Sequence, residues 1–239
     1  APLAPWGVSA LFVADALSSL LAAAVAARLL PSTTSAVASP PWRSALTRRL
    51  IVWTGIGTLY AVLVMLIVFM LPLAVEVAGW SPVVTGWLLA VAAAAAIGAQ
   101  RLVARWEERL RPATMLVIGH VVLAAGLALW ATGELGFLVL GAVLEGASGA
   151  FCLGTYQAVA GRKAQPGLAA AVMTVFGLSW GVAAVIAPAV GTALLALGSG
   201  ILWLSCAATS LALAALHASA GVQRRPSGAQ SAGRRSSDR

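Results

Sequence analysis

Seven long apolar stretches, joined by short polar connections, constrain this chain more than any other feature of its sequence. A helix needs roughly 20 apolar residues to cross the hydrocarbon core of a bilayer. The stretches are Gly7–Leu30, Leu50–Leu71, Val83–Ala99, Ala113–Ala131, Gly136–Ala160, Leu168–Leu195 and Ile201–Ala220. The strict alternation that is typical of barrel strands is absent. The sequence therefore predicts an all-α integral membrane protein with seven transmembrane helices.

Composition excludes the other broad classes of protein. Hydrophobic residues make up 61% of the chain and charged residues 9%, whereas a soluble domain carries about 25% charged residues. The basic residues are divided among several connections, which argues against a nucleic-acid partner. Cys152 and Cys206 lie inside apolar stretches, and His120 and His217 are nearly a hundred residues apart with no ligand pattern around them. With no GxxxxGK[ST] loop either, neither a metal site nor a cofactor is predicted.

The positive charges predict how the chain is oriented. All 15 basic residues end or follow the first, third, fifth or seventh stretch: Arg28, Arg43, Arg48, Arg49, Arg101, Arg105, Arg109, Arg111, Arg162, Lys163, Arg224, Arg225, Arg234, Arg235 and Arg239. The opposite connections carry only Glu76 and Glu134. By the positive-inside rule the C-terminus is cytoplasmic, in the cell (inner) membrane, and Trp53 is expected to anchor the inner interface. Because no basic residues precede the first stretch, as they would in a signal peptide, we expect the C-terminal part of a longer protein.

Three local patterns resemble a known family. The first is FVADALSSLLAAAVAARLLPST in the first stretch, the second is GLSWGVAAVIAPAVGT in the sixth, and the third is the short loop GAQRLVARWEERLRPATM. Together they are similar to the drug:proton antiporter-like branch of the major facilitator superfamily, from about its sixth helix to its end. The resemblance assigns helix bending and packing to Gly177, Gly181, Pro188 and Gly191. The loop keeps the arginines of the family's signature but lacks its aspartate.

The resemblance implies both a domain organisation and a function. Residues 1–30 would end a missing first half, 31–49 would form the central cytoplasmic loop, 50–220 the six-helix C-terminal half, and 221–239 a disordered basic tail. The function it implies is secondary transport of small molecules, as proton-coupled efflux by alternating access between two halves. The implied partners are the lipid bilayer, the missing N-terminal half, a small-molecule substrate and protons.

Glu145 is the main candidate for transport chemistry. It lies about 14 Å into the fifth stretch at helical rise, where an ionisable group costs roughly 2.5–3.5 kcal/mol to insert. No basic residue is available at that depth. We expect its carboxyl either to face a transport cavity, binding a proton or a cationic substrate, or to be protonated and bonded to a neighbouring helix. Asp15, in the first stretch, is expected to contact a neighbouring helix or the missing half.

Further polar residues are candidates through the resemblance. Thr54, Thr58 and Tyr60 lie on the counterpart of the family's cavity-lining seventh helix, and the two threonines share a face because they are four residues apart. Tyr156 and Gln157, near the predicted cytoplasmic end of the fifth stretch, are candidates for an inner gate. Each of these residues is also compatible with ordinary packing.

Two other classes of function stay open at this point. A membrane scaffold or a degenerate half-transporter would have the same apolar pattern. The run GASGAF, with Ser148, followed two stretches later by His217, is similar in order to the serine and histidine of rhomboid intramembrane proteases. Such a dyad requires the two side chains to be within hydrogen-bonding reach. Because the further histidine and asparagine of that family are missing, the sequence predicts that the chain is not an enzyme.

Overall fold

The computed structural model describes residues 7–29, 42–107, 109–165 and 167–222 of the chain. Seven α-helices and one short 3₁₀ helix, Trp42–Ala45, make up its regular structure. The helices are α1 (Gly7–Leu29), α2 (Arg48–Val77), α3 (Pro82–Glu107), α4 (Pro112–Trp130), α5 (Leu135–Arg162), α6 (Ala169–Leu197) and α7 (Ser199–Val222). The predicted all-α membrane fold is confirmed, with one helix over each predicted apolar stretch.

Six of these helices, α2 to α7, are long and apolar enough to cross a membrane. α1 contains a shorter apolar helical stretch, Leu20–Leu29. Most of the predicted central loop and residues 223–239 of the predicted tail lie outside the described residues, as does the side chain of Asp15. The chain divides into two units, Ala1–Ala38 and Ser39–Arg239, and the second contains α2 to α7.

Within the second unit the helices pack in two sets. α2 packs along α6, whereas α3, α5, α4 and α7 pack side by side in that order. The set around α4 and α5 depends on small residues, because helices approach closely only where side chains are small. A Cβ on Gly146 of α5 would overlap the backbone oxygen of Ala92 on α3. Gly146 therefore holds α5 directly against the α3 backbone, one residue after Glu145.

Glycines and tryptophans shape the turns at the end of the bundle away from the arginines. Gly79 and Gly133 adopt φ values of 83° and 71° in the turns after α2 and α4, where a residue with a Cβ would be strained. The indole nitrogen of Trp80 donates to the Gly133 carbonyl at 3.0 Å and joins the two turns. Trp130 is buried and donates to the Leu138 carbonyl at 2.9 Å. These bonds fix the start of α5, the helix on which the main candidate residues lie.

Candidate functional site

The carboxyl group of Glu145 lies inside the bundle without a bonding partner. Glu145 is half-buried, ten residues after the start of α5, and its side chain has no hydrogen bond or ion pair within the described ranges. Its carbonyl accepts a hydrogen bond from the Ser148 hydroxyl at 2.7 Å. An unpartnered carboxyl inside a membrane helix requires a proton, water or a ligand to satisfy it.

Tyr60 of α2 lies within electrostatic range of Glu145 and has a free hydroxyl of its own. The residue is 4% exposed, and its hydroxyl makes no hydrogen bond to any part of the chain that the structure describes. Among the described residues, Thr54 and Thr85 have fully buried hydroxyls without a partner, and Tyr60 is not one of them, so its hydroxyl is not completely buried. The edge of its ring meets Trp180 of α6 at 6.5 Å between centroids. Tyr60 thus has an acidic neighbour, Glu145, within electrostatic range and an aromatic neighbour, Trp180, at its ring.

A second polar group lies three helical turns along α5, at Tyr156. Its hydroxyl is hydrogen-bonded to Nε2 of His120 on α4 at 2.9 Å and to Nε2 of His217 on α7 at 2.8 Å. The hydroxyl of Ser210 on α7 donates to the His120 carbonyl at 2.9 Å and lies 3.2 Å from Nδ1 of His120. All four side chains are at most 3% exposed. We name this group, consisting of His120, Tyr156, Ser210 and His217, the histidine cluster.

Aromatic rings from α2 cover the histidine cluster. Tyr60 stacks on Tyr156 with ring centroids 4.9 Å apart and an interplanar angle of 16°. Trp53 packs 5.3 Å from the Tyr156 ring and donates its indole hydrogen to the Tyr156 carbonyl at 3.2 Å. Nζ of Lys163, just after α5, lies 5.3 Å from the centroid of the Trp53 ring. The Trp53 indole is thus hydrogen-bonded within the bundle, and its role as an anchor at the inner interface stays a prediction.

The structure brings together some of the residues selected from the sequence and separates others. Tyr60 and Tyr156 are in contact, whereas the neighbouring Gln157 is exposed and lies outside the histidine cluster. The Thr58 hydroxyl donates to the Thr54 carbonyl at 2.9 Å, and the Thr54 hydroxyl is one of the two buried ones without a partner. The two threonines therefore differ in how much bonding capacity they leave for a ligand.

The glycines and the proline of α6 also differ in their burial and packing. Gly191 is buried, and a Cβ there would meet Met70 of α2, so this position permits close packing of α2 and α6. Gly177 and Gly181 are exposed, and a Cβ added at either position would have no atom of the described chain within 4 Å. Pro188 lies inside the helix and is half-buried.

Sequence reasoning missed His120, His217 and Ser210, because it considered the histidines only as ligands of a metal or as part of a protease dyad. In the described residues no group of three or more histidine, cysteine or acidic side chains could hold a metal ion. Ser148 is bonded to a carbonyl of its own helix and His217 to Tyr156, so these two are not paired as a dyad. Each histidine is an ionisable residue inside an apolar stretch, which is the same pattern that selected Glu145.

Comparison with known proteins identifies the group to which the sequence is related. A family model described as Major Facilitator Superfamily matches the chain over residues 3–188 and again over residues 52–237. None of the curated proteins and none of the solved structures matches the chain. The family match extends over all seven helices and over every residue of the site described above.

Proposed function

We propose that this chain, which belongs to the major facilitator superfamily of membrane transporters, exports small molecules in exchange for protons. The observation that carries the proposal is the carboxyl of Glu145, half-buried in α5 without a hydrogen bond or ion pair to the described residues. A group of this kind can bind a proton in one conformation and a ligand in another, which is the requirement for exchange.

The surroundings of Glu145 favour an amphipathic cation as the exported molecule. The Tyr60 hydroxyl has no partner within the described chain, and the rings of Tyr60 and Trp180 meet edge to face. Aromatic faces attract organic cations, and a carboxylate adds charge complementarity. A proton and a cation would compete for the same carboxyl, so that binding of one releases the other.

The proposal requires another half-transporter as the partner of α2 to α7. α3 and α6 are the least buried of the six candidate membrane-spanning helices, and α2 and α4 are the most buried. Gly177 and Gly181 lie on exposed positions of α6 and would admit another helix at short range. We propose that α2 to α7 correspond to the family's second half and that alternating access arises where a first half packs against α3 and α6.

Transport is tested with everted membrane vesicles that contain the full-length protein. Respiration acidifies the vesicle interior, and addition of cationic dyes or antibiotics should release protons, measured as recovery of acridine fluorescence. Glu145→Gln removes the ionisable group and should abolish this recovery. Glu134→Gln is the matched control, because Glu134 is an exposed residue just before the same helix and should leave the response unchanged.

Two outcomes would contradict the proposal. Full efflux by the Glu145→Gln protein, with an unchanged pH dependence, would remove Glu145 from the mechanism. Absence of any substrate-induced proton release by the unaltered protein, over a broad panel of compounds, would favour a non-transporting scaffold.

The proposed orientation has its own test. Single cysteines replacing Arg49 and Glu76, in a Cys152→Ala/Cys206→Ala background, should react with an impermeant maleimide from opposite sides of the membrane. We propose that the Arg49 side is cytoplasmic, in accordance with the distribution of basic residues. Labelling of both positions from one side would overturn this topology.

A further inference from the structure

Ser210 determines the direction of hydrogen bonding in the histidine cluster. Its hydroxyl has one hydrogen, which it donates to the His120 carbonyl at 2.9 Å. Toward Nδ1 of His120, 3.2 Å away, the Ser210 oxygen can then only accept. Neutral His120 therefore carries its hydrogen on Nδ1, and its Nε2 is an acceptor.

The remaining bonds follow from this tautomer. Because Nε2 of His120 accepts, the Tyr156 hydroxyl must donate to it across 2.9 Å. The Tyr156 oxygen then accepts from Nε2 of His217, 2.8 Å away, so neutral His217 carries its hydrogen on Nε2 and has a bare Nδ1. The chain of donors runs in one direction, from His217 through Tyr156 to His120.

The bare Nδ1 of His217 faces outward from the histidine cluster. It has no hydrogen bond to the described residues, yet it is not among the fully buried polar atoms without a partner, which are the hydroxyls of Thr54 and Thr85. This nitrogen is therefore not completely buried. His217 lies five residues before the end of α7, toward the bundle end where Lys163 covers Trp53, which itself packs 5.8 Å from the His217 ring.

We propose that the histidine cluster is a buried site for one proton, loaded through Nδ1 of His217 and holding the charge on His120. An incoming proton bonds to Nδ1 of His217, and the Nε2 hydrogen of that ring passes to the Tyr156 oxygen. The original Tyr156 hydrogen passes to Nε2 of His120. The products are an imidazolium at His120, a neutral Tyr156 and a neutral His217 whose hydrogen is now on Nδ1, so one proton enters and none leaves.

Both states retain every hydrogen bond of the histidine cluster. After uptake, His120 donates from both nitrogens, and the hydrogen that Tyr156 received from His217 is donated back toward the now bare Nε2 of His217. A second proton is opposed by charge repulsion, since the two imidazole rings stack with centroids 5.7 Å apart. The site therefore binds one proton, and this binding changes the tautomer of His217.

The other ionisable groups around the histidine cluster come from three places. α2 contributes Tyr60. α5 contributes Cys152, which lies beside Tyr156, and Glu145, which interacts with Tyr60. Lys163 lies above Trp53 after the end of α5. α6 contributes Trp180, which does not titrate, while α4 and α7 supply the histidines themselves. Among these groups Glu145 carries a carboxyl, Cys152 a thiol and Lys163 an amine.

The inference rests on the proposed function only for the use that transport makes of this proton. A second proton site beside Glu145 would allow the cytoplasmic pH to be sensed independently of substrate binding. Uptake itself is a property of the resting protein and can be measured without substrate. Failure of vesicle transport would leave this site standing, and failure of this site would leave Glu145 in place.

Nitrogen-15 magnetic resonance of histidine-labelled protein in lipid nanodiscs tests the site directly. The chain contains only two histidines, so a purification tag without histidine leaves two imidazoles to assign. At about pH 9 we expect His120 to be protonated on Nδ1 and His217 on Nε2. On stepwise acidification from there, the step in which His120 becomes doubly protonated should also move the His217 hydrogen to Nδ1.

The variants separate this relay from two independent histidines. Tyr156→Phe should abolish the coupled step, so that each imidazole titrates alone without a tautomer change, whereas Tyr60→Phe should preserve it because the Tyr60 hydroxyl is not bonded to the histidine cluster. The opposite tautomers in the unaltered protein at high pH would overturn the proposal even if Tyr156→Phe does not fold. So would a His217 that stays protonated on Nε2 while His120 becomes charged.

Discussion

Two polar regions on helix α5 differ in whether their side chains have hydrogen-bond partners. At the end of α5 near the arginines, Tyr156 takes part in a closed set of hydrogen bonds with His120, Ser210 and His217. Three turns earlier, the carboxyl of Glu145 has no partner in the described chain. Because an unsatisfied polar group in hydrocarbon costs several kcal/mol, the first region stabilises the bundle, whereas the second depends on something that arrives from outside it.

The two tyrosines of the chain repeat this difference at close range. Their rings stack with centroids 4.9 Å apart, yet one hydroxyl has two imidazole partners and the other has none among the described residues. Removal of each hydroxyl in turn therefore compares the same chemical change in nearly the same place. The comparison separates the contribution of the hydrogen bonds from the contribution of the aromatic contacts.

The largest effect should come from moving the helix that carries both regions. In Gly146→Ala the new methyl would overlap the backbone oxygen of Ala92, which has no flexible side chain that could give way. We expect the free energy of unfolding to fall by about 3 kcal/mol, measured by tryptophan fluorescence during denaturation in micelles. Histidine titration should change as well, since α5 would shift as a unit.

Gly149→Ala is the control for this substitution. It lies one turn further along α5, and no atom of the described residues lies within 4 Å of a Cβ at that position. The exchange should be neutral or should stabilise the helix by up to about 1 kcal/mol, because alanine has the higher helix propensity. Equal losses for the two variants would mean that the contact between α3 and α5 does not position Glu145.

The next largest effect should separate the tyrosines. Tyr156→Phe leaves Nε2 of two buried histidines without a partner, and we expect a loss of about 2 kcal/mol in the free energy of unfolding. Tyr60→Phe removes a hydroxyl without a hydrogen bond and should cost less than about 0.5 kcal/mol. The same denaturation measurement applies to both. Similar costs would show that stacking, and not hydrogen bonding, holds this region together.

The helices could be predicted because apolar length is a local property. All seven helices lie over the predicted apolar stretches, although they do not begin and end at the predicted residues. α3 continues to Glu107, well past the predicted Ala99. The Arg- and Gln-containing segment that follows the apolar stretch is therefore helical as well. Pro72 does not end α2, which extends to Val77. Proline inside a membrane helix removes one hydrogen bond without breaking the helix.

The histidine cluster could not be predicted in the same way. Glu145 stood out because a single residue with an ionisable group in an apolar stretch is informative by itself. His120 and His217 acquire their meaning only from α4, α5 and α7 packing side by side, which brings residues nearly a hundred positions apart into contact with one hydroxyl. Apolar stretches without a clear amphipathic face do not indicate which side of a helix faces its neighbours.

A smaller effect is expected at Ser148, between the two regions. Its hydroxyl donates to the carbonyl of Glu145, which belongs to the same helix, so Ser148→Ala should cost at most about 1 kcal/mol. The proposed proton-coupled export should be retained. A fluorophosphonate probe should leave the unaltered protein unlabelled, because the Ser148 hydroxyl is bonded to its own helix and His217 is bonded to Tyr156. Labelling that disappears in Ser148→Ala would instead support the protease interpretation.

The smallest effect on stability should come from Glu145→Gln, the substitution with the largest expected effect on transport. Glutamine has nearly the same shape as a protonated glutamic acid, and no bond within the described chain is lost. The free energy of unfolding should therefore stay within about 0.5 kcal/mol of the unaltered value, and the histidine tautomers should be the same at high pH. A loss as large as that of Tyr156→Phe would mean that the carboxyl is already part of a bonded network. The contrast between the two ends of α5 would then be one of degree, and Glu145 would no longer be the group left open for a ligand.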